Sequence, residues 1–367
     1  MGIRWFPIKR KTELESGRED RAEAWRRERF AAVSGLAHDA LRSFYRLRRG
    51  TNAFLYAGEA QGWGKVLFRF FSPDEQKSKA QGHIRVAEIL TELAIPTPRV
   101  LCADLSDEAA RRYGFHVIVE EFVEGRPLAP ALLLEAKWRR RLLSFLTRLH
   151  SREDGRAGRW WVPRNDRERP LRYFRSRVPL YVQRIRRSGA PPWPRSVQRA
   201  VVGWFAGRAG EVLGGGPPWQ LICGDIHPDN FIAAAVSDQL YCIDKGTFLF
   251  GCFEEDLVQV EEHYMSGPDA VLDGGFWREY FVRFSDGAAR QVRWERNRRF
   301  FMAWRALEKA ASAAVKLGKV AEGRKSEHRR PSLASNLHVQ LERLARLTGI
   351  AEVAPLEASG QGDNDHV

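Results

Sequence analysis

The chain is short of features that mark several classes of protein. Among its 367 residues there are only four cysteines, Cys102, Cys223, Cys242 and Cys252. They are scattered, with no C-x-x-C pair and no attendant histidines, which argues against a disulfide framework or a zinc site and suits reduced thiols used for packing. No run approaches the roughly 18 to 20 consecutive apolar residues of a membrane span. The opening "MGIRWFPIKRK" lacks the apolar core of a secretory signal, and Phe6 stands where a myristoylation pattern needs Ser or Thr. The expected location is the cytoplasm, or the inner surface of a membrane.

Acids are also scarce, at 46 against 60 Lys and Arg, for a net charge of +14. The deficit is concentrated. From Lys137 to Arg208, 20 Lys or Arg stand against four acids, Glu153, Asp154, Asp166 and Glu168, an excess of +16. Such a segment is either a set of solvated helix faces or a surface that attracts an anionic substrate, an anionic membrane or nucleic acid.

What is present suits a globular protein long enough to bury a full core, with 44% apolar residues and 12 tryptophans. Residues 19 to 43 space Ala, Trp, Phe, Val and Leu at helical intervals. Residues 44 to 71 break short apolar runs at Gly50, Gly58, Gly62 and Gly64, the pattern of a small β-meander. A helix over 76 to 94 ends ahead of the prolines of "IPTPRVL", and "FHVIVEEFVEG" (115 to 125) reads as a strand. Beyond it, "LLLEAKWRRRLLSFLTRLHS" aligns Leu134, Trp138, Leu142, Phe145, Leu146 and Leu149 on one stripe of a core-facing helix. Helical periodicity returns from Glu254 to Leu347. The expected class is α+β with two lobes: a helical extension (1–43), a strand-rich N-lobe (44–124), a mainly helical C-lobe (125–355) and a frayed tail (356–367).

The chemistry-bearing stretch is "CGDIHPDNFI", residues 223 to 232. Asp225 and Asn230 lie on a loop after the apolar "WQLI", and Asp244 ends the apolar "DQLYCID". If these two strands pair as a hairpin, all three side chains emerge at one edge. Two carboxylates and an amide carbonyl are hard oxygen ligands suited to Mg²⁺ that also keeps phosphate oxygens in its shell. Phosphoryl transfer uses one acid to orient and deprotonate the attacking hydroxyl, with a second acid and an amide on the metal.

"LICGDIHPDNFI", then "LYCIDKG" and "EEDL", resembles the catalytic segment of the aminoglycoside phosphotransferase and choline kinase-like family, which has a protein-kinase-like fold. Upstream, "RLRRGTNAFLYAG", "KVLFRF", "VIVEEFVEGRPL" and "LTRLHS" resemble that family's nucleotide loop, third strand, hinge and pre-catalytic helix. The similarity spans residues 45 to 265. It implies a phosphotransferase using ATP and Mg²⁺, with Asp225 as catalytic base, Asn230 and Asp244 as metal ligands and Asp256 bracing the loop. It places the nucleotide against Gly50, Thr51 and Asn52, against Arg69, and against the hinge residues Glu121, Phe122 and Val123.

Three departures from the family pattern stand out. Arg69 occupies the place of a phosphate-pairing Lys, and its acid partner is open between Glu88 and Glu92. Cys223 replaces a His, and Lys245 replaces an apolar or aromatic residue. His150 is expected to brace the loop, and His227 is either a substrate contact or loop packing.

The family's best-known acceptors are cations, whereas here the segment between hinge and catalytic loop is basic. The expected acceptor is therefore a hydroxyl-bearing anion, with lipopolysaccharide core sugar kinases as a related example and peripheral contact with an anionic membrane as a corollary. Trp160, Trp161, Tyr173, Phe174 and Tyr181, interleaved with arginines, are either sugar-stacking residues or aromatic core. Two alternatives stand beside this reading: a catalytically silent kinase-like protein binding membrane or nucleic acid, and an antibiotic phosphotransferase.

Overall fold

The structure is a computed structural model that describes residues 13–47, 54–155, 157–158, 170–188, 193–213, 219–266, 270–322 and 327–354. A helix, α1 (Glu13–Ser34), leads into β1 (Leu41–Arg46), β2 (Phe54–Ala60) and β3 (Gly64–Phe71). α1 ends nine residues earlier than the periodicity suggests because Gly35 takes the left-handed conformation, φ +70°, and its amide closes on Ala31 O at 3.0 Å. After α2 (Pro73–Glu92) come β4 (Val100–Asp104), α3 (Asp107–Tyr113) and β5 (His116–Glu121). The five strands form an antiparallel sheet in the order β1-β2-β3-β5-β4. Trp25 of α1 is fully buried on this sheet, edge-on to Phe70 at 5.7 Å, and its indole donates to Asp104 at 3.0 Å.

The chain then leaves the sheet through residues 122–125 and enters β6 (Arg126–Pro127), which pairs with β9 (Phe231–Ala234). A Cβ on Gly125 would lie 2.5 Å from Ala233 O, so only glycine lets this crossing run so close to β9. α4 (Ala136–His150) buries Trp138, Leu142, Phe145, Leu146 and Leu149 as its stripe requires. Leu134 departs from the stripe and is 71% exposed, because a 3₁₀ turn over Pro130–Leu134 precedes the helix and shifts its phase.

The two apolar strands around the catalytic loop do not form the hairpin that their spacing suggested. β8 (Trp219–Ile222) lies between β7 (Glu153–Asp154) and β11 (Leu249–Gly251), whereas β10 (Gln239–Cys242) pairs with β9, the short run directly after the loop. The loop therefore crosses from one small sheet to another. The rest is helical: α5 (Pro170–Arg187), α6 (Arg195–Leu213), α7 (Phe253–Val260), α8 (Gly274–Phe281), the 35-residue α9 (Gly287–Ala321) and α10 (Arg330–Thr348). Among the described residues no helix is long and apolar enough to cross a membrane.

Candidate active site

The loop that carries Asp225 and Asn230 is held from beneath by one carboxylate. Asp256, fully buried on α7, accepts the amide of Cys223 with Oδ2 and that of Gly224 with Oδ1, both at 2.8 Å. The same Oδ2 meets His150 Nε2 at 3.1 Å, and His150 Nδ1 meets Tyr280 Oη at 2.7 Å, so the end of α4 is tied to the loop through Asp256. Gly224 has φ +73°, and a Cβ there would sit 2.9 Å from Thr247 O; glycine is required for the turn that presents Asp225. Gln259 Oε1 accepts the Ile226 amide at 2.8 Å and fixes the next residue.

On that base, Asp225 and Asn230 come together. Asn230 Nδ2 donates to Asp225 Oδ2 at 2.8 Å and to Asp225 O at 3.0 Å. With its NH₂ committed, the Asn230 carbonyl oxygen is the atom left to ligate. Ile243 N donates to Asn230 O at 3.0 Å, which brings Asp244 alongside, and among the described residues Asp244 Oδ1 accepts only the Gly246 amide, at 3.0 Å. Two carboxylates and one amide oxygen suit a cation that shares its shell with phosphates. Among the described residues no group of three or more His, Cys, Asp or Glu could hold a metal unaided.

Across the cleft, Arg69 on β3 donates Nε to Glu120 Oε1 at 2.5 Å and Nη2 to Ile243 O at 2.8 Å, linking the sheet to the Asp244 segment. Its acid partner is therefore neither Glu88, which pairs with Arg85, nor the exposed Glu92. Glu120 lies two residues beyond Ile118, the cross-strand partner of Arg69, so both side chains project from one face of the sheet. Burial alone would raise the Glu120 carboxyl, but the charges of Arg69 and Lys245 and the His83 contact hold it well below the usual carboxylate range. The sequence signal was a lone inward acid in the apolar run "HVIVEE".

At the hinge, the Glu121 amide donates to Arg99 O at 3.0 Å and the Phe122 amide to Lys65 O at 3.2 Å. The Val123 amide donates to no backbone carbonyl among the described residues and is available to a ligand. Gly50, Thr51 and Asn52 lie outside the described residues. His227 Nδ1 accepts the Asp229 amide at 3.2 Å, a loop-capping contact.

Beside Asp225 opens a cleft of about 800 Å³ bordered by α5, α9 and α10. Five cations line it, Arg184, Arg305, Lys309, Lys316 and Lys319, against two acids, Asp225 and Glu308. Arg305 Nη2 lies 4.0 Å from Asp225 Oδ1, and its Nη1 donates to Glu308 at 2.8 Å. Burial would lower the Arg305 guanidinium, but Glu308 and Glu262 raise it above its usual value. Only Arg184 belongs to the basic stretch 137–208; the other four cations come from α9, and sequence reasoning missed them. Phe174 is core, packed on Trp304 at 4.3 Å, and Tyr181 is 7% exposed; Trp160, Trp161 and the Tyr173 side chain lie outside the described residues. A separate cleft of about 640 Å³, lined by Trp277 and Trp294, includes none of the candidate catalytic residues.

No curated protein matches the chain. Solved structures share its fold at low identity. An ethanolamine kinase from Plasmodium vivax superposes with TM-score 0.60 at 12% identity, over 95% of this chain and 92% of that one. Choline kinase LicA from Streptococcus pneumoniae gives 0.55 at 15%, over 89% and 99%. The APH(2") protein solved with GDP and kanamycin gives 0.54 at 16%, over 83% and 94%. The sequence itself matches the APH model, the phosphotransferase enzyme family, over residues 46–294, and the chain belongs to that family.

Proposed function

We propose that this phosphotransferase moves the terminal phosphate of ATP, with Mg²⁺, to a hydroxyl on an anionic acceptor bound beside Asp225. The observation that carries the acceptor assignment is the cleft itself: five cationic side chains against two acids, opening on the residue that would deprotonate the hydroxyl. A polycationic acceptor such as an aminoglycoside would meet like charge there, whereas a phosphorylated or carboxylated sugar would be attracted.

In this reading Asp225 accepts the hydroxyl proton. Asn230 holds the Asp225 carboxylate through the 2.8 Å bond, which fixes the direction in which the proton leaves. Arg305, 4.0 Å from Asp225 and anchored on Glu308, faces the acceptor's negative group. Asp244 and the Asn230 carbonyl would hold Mg²⁺, which supplies charge stabilisation to the transferring phosphoryl group. Arg69 faces the phosphates from the sheet, and the hinge at Glu121, Phe122 and Val123 receives the base. A cell-envelope sugar of the lipopolysaccharide type and a free sugar phosphate share the required chemistry. Peripheral contact with an anionic membrane follows from the first of these.

The test is ADP release by purified protein with MgATP across sugar phosphates, lipopolysaccharide fractions, uncharged sugars and aminoglycosides. Stimulation by the anionic acceptors is expected, and intact lipopolysaccharide against free sugar phosphate separates the two sources. Stimulation by aminoglycosides alone would assign the protein to antibiotic modification instead.

A further inference from the structure

Behind Arg69 lies a group of charges that no step above uses. Glu120 Oε2 accepts from Lys245 Nζ at 3.0 Å and lies 2.9 Å from His83 Nε2, while Oε1 takes Arg69 at 2.5 Å. Lys245 Nζ also donates to Pro98 O at 3.3 Å. The Glu120 and Lys245 side chains are wholly buried, and the Arg69 side chain keeps 11% of its surface open. Burial, reinforced by Lys245, pushes His83 down to about 4, so the ring is neutral at physiological pH.

Two cations thus share one carboxylate in a region that excludes water. Buried charges are ordinarily balanced, because an unmatched charge there is costly. Asp244, next along the chain, is committed to the divalent cation on the reading above, which leaves the cleft, where Arg69 is open, as the place from which a balancing anion can approach.

We propose that Lys245 is a positioning residue for the nucleotide: by occupying the second oxygen of Glu120 it keeps that carboxylate from neutralising Arg69. Glu120 then fixes where the guanidinium sits, and Lys245 leaves its charge available to an entering phosphate chain. Without Lys245, Arg69 and Glu120 close into a neutral pair that is stable but indifferent to anions. This rests on the phosphotransferase reading and deepens it.

The experiment is calorimetric titration of MgATP and MgGTP into wild type, Lys245→Met and Lys245→Gln, with the melting temperature of each protein without nucleotide. Gln removes the charge while keeping an N–H donor directed toward Glu120 and Pro98 O. Both variants should melt at or above the wild-type temperature yet bind nucleotide at least about tenfold more weakly. Wild-type affinity in either folded variant overturns the inference, as does a lower melting temperature with affinity unchanged. Failure of both variants to fold would assign Lys245 to the core and overturn it as well. A wild-type protein that binds neither nucleotide would overturn the phosphotransferase reading itself, and this inference with it.

Discussion

At the end of the cleft proposed to take the nucleotide, Glu120 and Lys245 are completely buried, each with an opposite charge within 3.0 Å, while the Arg69 side chain keeps 11% of its surface open. At the end proposed to take the acceptor, Asp225 is 37% exposed, and most of the surrounding cations come from one long helix, α9, facing a wide cleft. The first arrangement is preorganised: its geometry is fixed before any ligand arrives, which suits a cofactor whose phosphates are always the same. The second is looser: Lys316 and Lys319 stay solvated until an acceptor displaces the water, while Arg305 and Lys309 are paired with Glu308 and Glu262, which suits recognition by net charge more than by fixed geometry. One protein therefore carries a rigid half and an adaptable half on either side of a single loop, and Asp256 supports that loop for both.

Substitutions that act on one end and spare the other sharpen this contrast. The largest effect should come from Asp244→Ala, which removes a carboxylate from the proposed metal position. Mg²⁺-dependent nucleotide binding should be abolished in a titration while acceptor binding persists; retained binding would move the metal elsewhere. Next is Asp256→Ala, which orphans the buried amides of Cys223 and Gly224. At about 1–3 kcal/mol for each unsatisfied group, denaturant unfolding should register a loss of about 2–6 kcal/mol, and both ends should fail together.

A smaller and one-sided effect is expected from Lys316→Glu with Lys319→Glu at the acceptor end. Steady-state kinetics should give about a tenfold higher KM for an anionic acceptor, with the KM for ATP unmoved. A change in the ATP constant instead would erase the distinction between the two ends.

The last prediction concerns His83. Its folded value, about 4, lies below the usual 6.5, so the unfolded chain binds the extra proton and stability falls as pH drops from about 6.5 to about 4. That slope is about 1.4 kcal/mol per pH unit for one proton, and His83→Gln should remove it from the pH profile of urea unfolding. An unchanged profile would mean that the buried end does not depend on a neutral ring.

Much of this was legible in the sequence because it is local. The five-residue spacing of Asp225 and Asn230 survives folding as a direct bond, and the stripe of α4 predicts its buried face from Trp138 to Leu149. What escaped depends on separation along the chain. Arg69 and Glu120 are 51 residues apart, and only the register of β3 against β5 shows that they meet. The exchange of partners between β8 and β10 was hidden because β9 and β11 are four and three residues long, too short to show a period. Most of the cations that line the cleft lie outside the basic segment 137–208. Arginines of α5 such as Arg186 and Arg187 are exposed, while Lys309, Lys316 and Lys319 reach the cleft from α9, a second basic segment with nine Lys or Arg against two acids.

The most direct test of the account is the rate of phosphate transfer from MgATP to the best anionic acceptor, wild type against Asp225→Asn. Removal of a general base should lower the rate by about 10² to 10⁴ while nucleotide affinity stays within a few fold. An undiminished rate would contradict the assignment of Asp225 and, with it, the mechanism built on this loop.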